Sequence, residues 1–211
     1  MNNKNNIFNE RRPLIGILRG ITPLEAESIS DVLIEAGITI IEVPLNSPQP
    51  YKTIERMVKF HENSAIFGAG TVLHVNEVQK VSDCGGQLIV SPNLNTLVVK
   101  KTKDLNMYSF PGVFTPTECF DALQSGADGL KFFPASLLKE ENFKAINSVL
   151  PSNTISIAVG GIDEKKFSSW LNVNISGFGL GSNLYKPGML VEEVKSRAQE
   201  IVKAYDNHFN P

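Results

Sequence analysis

The chain is predicted to fold as one (β/α)8 barrel of the TIM type, and three observations carry that reading. Eight short runs of β-branched and other apolar residues recur along its 211 residues, with starts about 20 to 27 residues apart. Polar, amphipathic segments long enough for helices separate them, the pattern of βα units around a parallel sheet. The first run is followed by Arg19-Gly20-Ile21, not by a Gly-rich dinucleotide turn, so the closed barrel is preferred to an open doubly wound sheet.

The runs are Leu14–Arg19, Thr39–Pro44, Ile66–Thr71, Leu88–Pro92, Tyr108–Pro111, Leu130–Pro134, Ser156–Gly160 and Gly177–Gly181. Thr22-Pro23-Leu24-Glu25 and Thr115-Pro116-Thr117-Glu118 both have the form of a capping Thr, a Pro at the first helical position and a capping-box Glu. Ala36-Gly37, Cys84-Gly85 and Ser125-Gly126 look like helix stops ahead of the next run. Ala26, Ile29, Leu33 and Ala36 share one helical face. The last helix is expected over Val191–Tyr205. The whole of 1–211 is taken as one domain, with residues 1–13 capping the bottom of the barrel.

With 42% hydrophobic and 20% charged residues the chain can bury an ordinary core. A net charge of −2 leaves no footprint for nucleic acid or a membrane surface. No apolar run approaches the ~18 residues of a transmembrane helix, and the first 13 residues lack the apolar stretch of a secretory signal. Cys84 and Cys119 fall in helical segments and are expected to be free thiols in a reducing cytoplasm. His61, His74 and His208 show no metal-ligand spacing, so no metal is expected. His74 with Glu77 is taken as a solvated helix start, Lys100-Lys101-Thr102-Lys103 as an exposed helix face, and Trp170 as core.

Catalytic groups of a barrel project from the C-terminal ends of its strands, and side chains alternate between interior and helix layer. Arg19 shares a face with Ile15 and Ile17, Glu42 with Ile40, and Lys131 with Phe133. If the aliphatic residues between them face the helices, all three charges point inward. Burial lowers the pKa of a lysine, as an amine attacking a ketone requires. Lys131 is therefore either a Schiff-base nucleophile or one half of a structural ion pair with Glu42. Glu42 is the matching general base or the other half of that pair. Arg19 either holds a substrate carboxylate or forms a rim salt bridge.

Val159-Gly160-Gly161-Ile162 and Gly179-Leu180-Gly181-Ser182-Asn183 end the last two runs. The loops there are the usual phosphate site of this fold, and glycine lets backbone N–H groups approach an anion closely. Two such ends favour phosphate binding over mere tight turns. Gly68-Ala69-Gly70-Thr71 offers a hydroxyl and close backbone approach, and Ser91-Pro92 shapes the rim.

The ordered stretches LIGILRGITP, IEVPLNSPQ, GAGTVL, QLIVSPN, GLKFFPAS, VGGI and GLGSNLY resemble the bacterial 2-keto-3-deoxy-6-phosphogluconate and 6-phosphogalactonate aldolases over nearly the whole chain. The resemblance implies a homotrimeric barrel with metal-free, cofactor-free class I chemistry. It assigns the imine to Lys131 and proton transfer to Glu42. It puts Arg19, Thr71, Pro92 and Phe133 around the pyruvate part of a phosphorylated keto-deoxy sugar acid, and Gly160, Gly161, Gly181 and Ser182 around the phosphate. Two positions depart from the gluconate branch, which usually carries Arg where this chain has Asn46 and Thr where it has Val159. Both look like the galactonate branch. A Thr hydroxyl can bond the C4 hydroxyl of one epimer and Val cannot, so Val159 is counted as a substrate contact and the 6-phosphogalactonate is the expected substrate. The gluconate epimer and 4-hydroxy-2-oxoglutarate are the alternatives. A sugar-phosphate isomerase or epimerase and a silent phosphate-binding barrel are the readings from other classes.

Overall fold

Each of the eight runs forms a strand, because a strand buried on both faces needs apolar residues in succession. The computed structural model describes residues 6–62 and 64–209. Its strands are β1 (Leu14–Ile17), β2 (Ile40–Pro44), β3 (Ile66–Gly70), β4 (Leu88–Val90), β5 (Tyr108–Phe110), β6 (Gly112–Val113), β7 (Leu130–Phe132), β8 (Ser156–Val159) and β9 (Gly177–Leu180). All runs but the second stop one or two residues earlier than predicted, because the chain turns there into the loops that carry the site. Beyond the fifth run, after Pro111, which has no N–H to give to a ladder, the strand resumes as β6, two residues that the sequence reading left out.

The sheet runs β5-β4-β3-β2-β1-β9-β8-β7-β6 with parallel pairing throughout. Its first and last members, β5 and β6, are separated in the chain only by Pro111. Ser91 N–H donates to Phe110 O on one side of that stretch (3.2 Å), and Lys131 N–H donates to Pro111 O on the other (2.9 Å). The barrel is therefore closed, as expected.

Helices α1 (Ala26–Ala36), α2 (Pro50–His61), α3 (Val75–Asp83), α4 (Thr96–Asp104), α5 (Pro116–Gln124), α6 (Ala135–Asn147), α7 (Phe167–Leu171) and α8 (Val191–Phe209) form the outer layer. The Thr115–Glu118 capping box is formed. The earlier one is displaced: Glu25 accepts from Thr22 N–H (3.0 Å), but the regular helix begins only at Ala26. The helix stops hold, with Gly37, Gly85 and Gly126 all at positive φ. Glu77 caps the start of α3 by accepting from the His74 N–H (2.9 Å). The lysine run is not a uniformly exposed face: Thr102 is buried, its hydroxyl donating to Val98 O (2.7 Å), and Lys103 pairs with Asp128.

Two cores follow from strand alternation. The outer one, between sheet and helices, takes Leu14, Leu18, Ile41, Val43, Leu130, Phe132, Ala158 and Phe178. Under α6, α7 and α8 it is aromatic: Phe132 meets Phe143 edge-on at 4.9 Å, and Phe143 meets Trp170 at 5.7 Å. Such pairs add about 0.5–1.5 kcal/mol each beyond area burial. They anchor the strand that carries Lys131 from behind. The inner core is Ile15, Ile17, Ile40, Ile66, Leu88, Val90, Phe110, Ile157 and Val159, and Ile7, from the segment ahead of β1, is buried among them. The part of that segment before residue 6 lies outside the described residues.

Candidate active site

Leu130 and Phe132 face the helices, so Lys131 between them faces the barrel interior. Glu42 lies inside by the same parity, opposite Ile17 of β1 and Gly68 of β3. Lys131 is 6% exposed and Glu42 1%. Both are buried at the C-terminal end of the strands, where the apolar filling stops.

The two charges come close without pairing. Neither a salt bridge nor a hydrogen bond joins them, and Glu42 Oε2 has no hydrogen-bond partner. The Lys131 Nζ sits 4.8 Å from the centre of the Phe133 ring. Burial pushes the Glu42 carboxyl up from 4.5 to about 7, although Lys131 and Arg19 both pull it down. Burial likewise pulls the Lys131 amine below its ordinary value; Glu42 opposes this and Arg19 adds to it. In both groups desolvation outweighs the opposing Coulombic attraction. Burial thus favours the neutral form of both groups, the form in which an amine is nucleophilic.

Room for the Glu42 carboxylate comes from Gly70, at the end of β3. A Cβ built on Gly70 would overlap that carboxylate. The next residue, Thr71, has φ 57°, a conformation rare for a β-branched side chain. Its hydroxyl lies at the edge of hydrogen-bonding range of Arg19 Nη2 (3.5 Å), and Arg19 Nη1 donates to Asn46 Oδ1. Arg19 is exposed at the mouth and held by neutral oxygens. No carboxylate among the described residues neutralises it. The rim salt bridge left open by the sequence is absent there.

The far side of the same cavity is built from backbone. Gly160 and Gly161 have φ of 93° and 74°. Gly160 O accepts from the Ser136 N–H (3.0 Å), and Lys166 Nζ donates to Gly161 O. Non-helical Lys139 (φ 61°, ψ 158°) breaks α6, which leaves its first turn, with Ser136, against this loop.

All eleven residues singled out in the sequence line one cavity of about 450 Å³: Arg19, Glu42, Thr71, Pro92, Lys131, Phe133, Val159, Gly160, Gly161, Gly181 and Ser182. Sequence reasoning passed over the roles of Gly70 and Ser136, and it missed Tyr185, which also lines the cavity. All three stand in the quoted stretches GAGTVL, GLKFFPAS and GLGSNLY, but their partners do not follow from them, because each acts through an approach in space. No group of three or more His, Cys, Asp or Glu among the described residues could hold a metal ion. No described helix is long and apolar enough to cross a membrane.

Residues 7–202 match the family profile described as KDPG and KHG aldolase. The chain is 49% identical to the probable 2-dehydro-3-deoxy-6-phosphogalactonate aldolase of Rhizobium meliloti (strain 1021), covering 92% of both chains. It is 42% identical to the 2-dehydro-3-deoxy-6-phosphogalactonate aldolase of Escherichia coli (strain K12), covering 92% of this chain and 94% of the other. Among solved structures, one described as native KDPGal superposes with a TM-score of 0.94 at 40% identity, over 97% of this chain and 99% of that one. The KDPG aldolase of Legionella pneumophila, with pyruvate captured as a covalent carbinolamine, superposes at 0.81 with 25% identity, over 92% and 94%.

Proposed function

The chain belongs to the KDPG and KHG aldolase family, and from that premise we propose that it is a class I aldolase cleaving 2-dehydro-3-deoxy-6-phosphogalactonate to pyruvate and glyceraldehyde 3-phosphate. The observation that carries this reading is the buried, unpaired Lys131 amine, its pKa lowered, sharing a cavity with a Glu42 carboxyl poised at about 7. Neutral Lys131 attacks the C2 ketone, and loss of water gives an iminium that draws electrons from the C3–C4 bond. Glu42 takes the C4 hydroxyl proton, through one water, as that bond breaks and the aldehyde leaves. The same carboxyl returns a proton to C3 of the enamine. Hydrolysis then frees pyruvate and the amine.

Arg19, which forms no salt bridge with a described carboxylate, is assigned to the substrate carboxylate. Thr71, Pro92 and Phe133 enclose the pyruvate part. Gly160, Gly161, Gly181 and Ser182 are assigned to the phosphate. Val159 presents only methyl groups to the cavity, which supports the galactonate epimer over the gluconate.

Incubation with pyruvate and borohydride is the test. A reduced adduct on Lys131 in the mass spectrum is expected, and a chain that turns over substrate without any adduct would end the proposal. It separates the aldolase from an isomerase or a silent phosphate-binding barrel, neither of which forms an imine.

The working form is read as a homotrimer of single-domain barrels, with residues 1–13 as the plug. Exposed Leu73 and Phe114, on the loops after β3 and β6, and Leu97, in the first turn of α4, support an interface at that rim; sedimentation equilibrium checks it. Free Cys84 and Cys119 support a reducing, cytoplasmic setting.

A further inference from the structure

Tyr185 lines the cavity and is 2% exposed. Its hydroxyl donates to Glu25 Oε1 at 2.9 Å, 160 residues away along the chain. Glu25 Oε2 accepts from both the N–H and the hydroxyl of Thr22. At its own end, Tyr185 N–H donates to Gly181 O (3.0 Å), as does Leu184 N–H (2.8 Å). Residues 181–185 thus form one tight turn with Tyr185 as its anchor. The two loops also touch through Gly20, where a Cβ would fall 2.6 Å from Pro187 Cγ.

This arrangement joins the loop after β1, which begins with Arg19, to the turn that carries Gly181 and Ser182. Those are the two ends of the cavity: a cation for a carboxylate and backbone N–H groups for a phosphate. A carboxylate such as Glu25 would repel an approaching phosphate, but its oxygens are occupied by three donors. Burial first, and then the bond to Glu25, raises the pKa of the Tyr185 phenol; burial also works against the Glu25 carboxylate, but its bonds to Thr22 and Tyr185 together outweigh it and lower its pKa.

We propose that Tyr185 is a positioning residue which, through its hydrogen bond to Glu25, fixes the 181–185 turn relative to Arg19 and so sets affinity for the phosphate end of the substrate. The inference rests on the phosphate assignment made under Proposed function. Tyr185 touches no reacting atom, so the imine half of the reaction does not depend on it.

Tyr185→Phe removes the bond and keeps the ring. The KM for the phosphorylated substrate should rise about five- to tenfold, the size expected for one lost hydrogen bond, with kcat within about twofold of wild type. Inhibition by inorganic phosphate should weaken by the same factor. The pyruvate concentration that half-saturates borohydride trapping at Lys131 should not move, which also reports that the barrel is folded. Glu25→Gln keeps an oxygen that accepts from Tyr185 and should fall between the two. Unchanged KM and phosphate inhibition in Tyr185→Phe would overturn the proposal. So would an equal loss in pyruvate trapping, which would mean that the residue supports the barrel as a whole. Neither result touches the aldolase reading, which fails only if the wild type itself forms no adduct.

Discussion

The two ends of the cavity are built by opposite means. At the β1, β2 and β7 end, ionisable side chains sit on strands in a dry interior: Glu42 and Lys131 are almost wholly buried and unpaired. At the β8 and β9 end the lining is rich in glycine backbone, with Gly160 and Gly161 in left-handed conformations, and carries exposed Ser182 and Lys186. The first end stores chemical potential, since burial raises the pKa of the carboxyl and lowers that of the amine. The second stores geometry, since a backbone turn fixed by its own hydrogen bonds needs little reorganisation to meet the proposed phosphate. Covalent chemistry needs the former, and holding an inert phosphate needs only the latter.

The sharpest way to break this division is Lys131→Ala. Turnover should fall by about 10⁴-fold or more, because the nucleophile itself is lost, while circular dichroism and phosphate binding stay as in wild type. Glu42→Gln should cost about 10²–10⁴ in kcat yet leave pyruvate trapping detectable. It should also remove the rise of kcat through pH 7 that deprotonation of a carboxyl held at about 7 produces. The stability change has the opposite sign. A carboxyl raised from 4.5 to about 7 binds more protons when folded, so its contribution is full below 4.5 and lost as pH rises through 7. Thermal melts of wild type against Glu42→Gln across that window measure it.

The backbone end should respond more mildly and in KM. Gly161→Ala places a Cβ at positive φ and 2.7 Å from Ser136 Cβ; KM should rise roughly tenfold with trapping at Lys131 unaffected. Val159→Thr, between the two ends, is expected to move the ratio of kcat/KM toward the gluconate epimer by about tenfold, read from parallel assays on both epimers. A change confined to kcat in either variant would erase the distinction between the ends.

How much of this was legible in the sequence follows the same line. Strands buried on both faces are written as apolar runs, so all eight could be read, and parity alone turned Arg19, Glu42 and Lys131 inward. Cβ-level approaches are not written in any run. The gap at Gly70 that admits Glu42, the bond from Tyr185 to Glu25 and the docking of Ser136 on Gly160 join residues distant in the chain. The strand ends were overextended at Arg19, Thr71, Pro92 and Gly160 because those residues leave the ladder to serve the mouth. The interruption at Pro111 and the break at Lys139 depend on local backbone geometry that apolar patterning does not encode.

The gap at Gly70 has an evolutionary consequence. Because the carboxylate of residue 42 occupies the volume that any side chain at 70 would claim, the two sites cannot drift separately. A side chain at 70 requires the carboxylate of 42 to move, away from where the proposed proton transfer needs it. Substitutions at the two positions should therefore be non-additive in a double-mutant cycle.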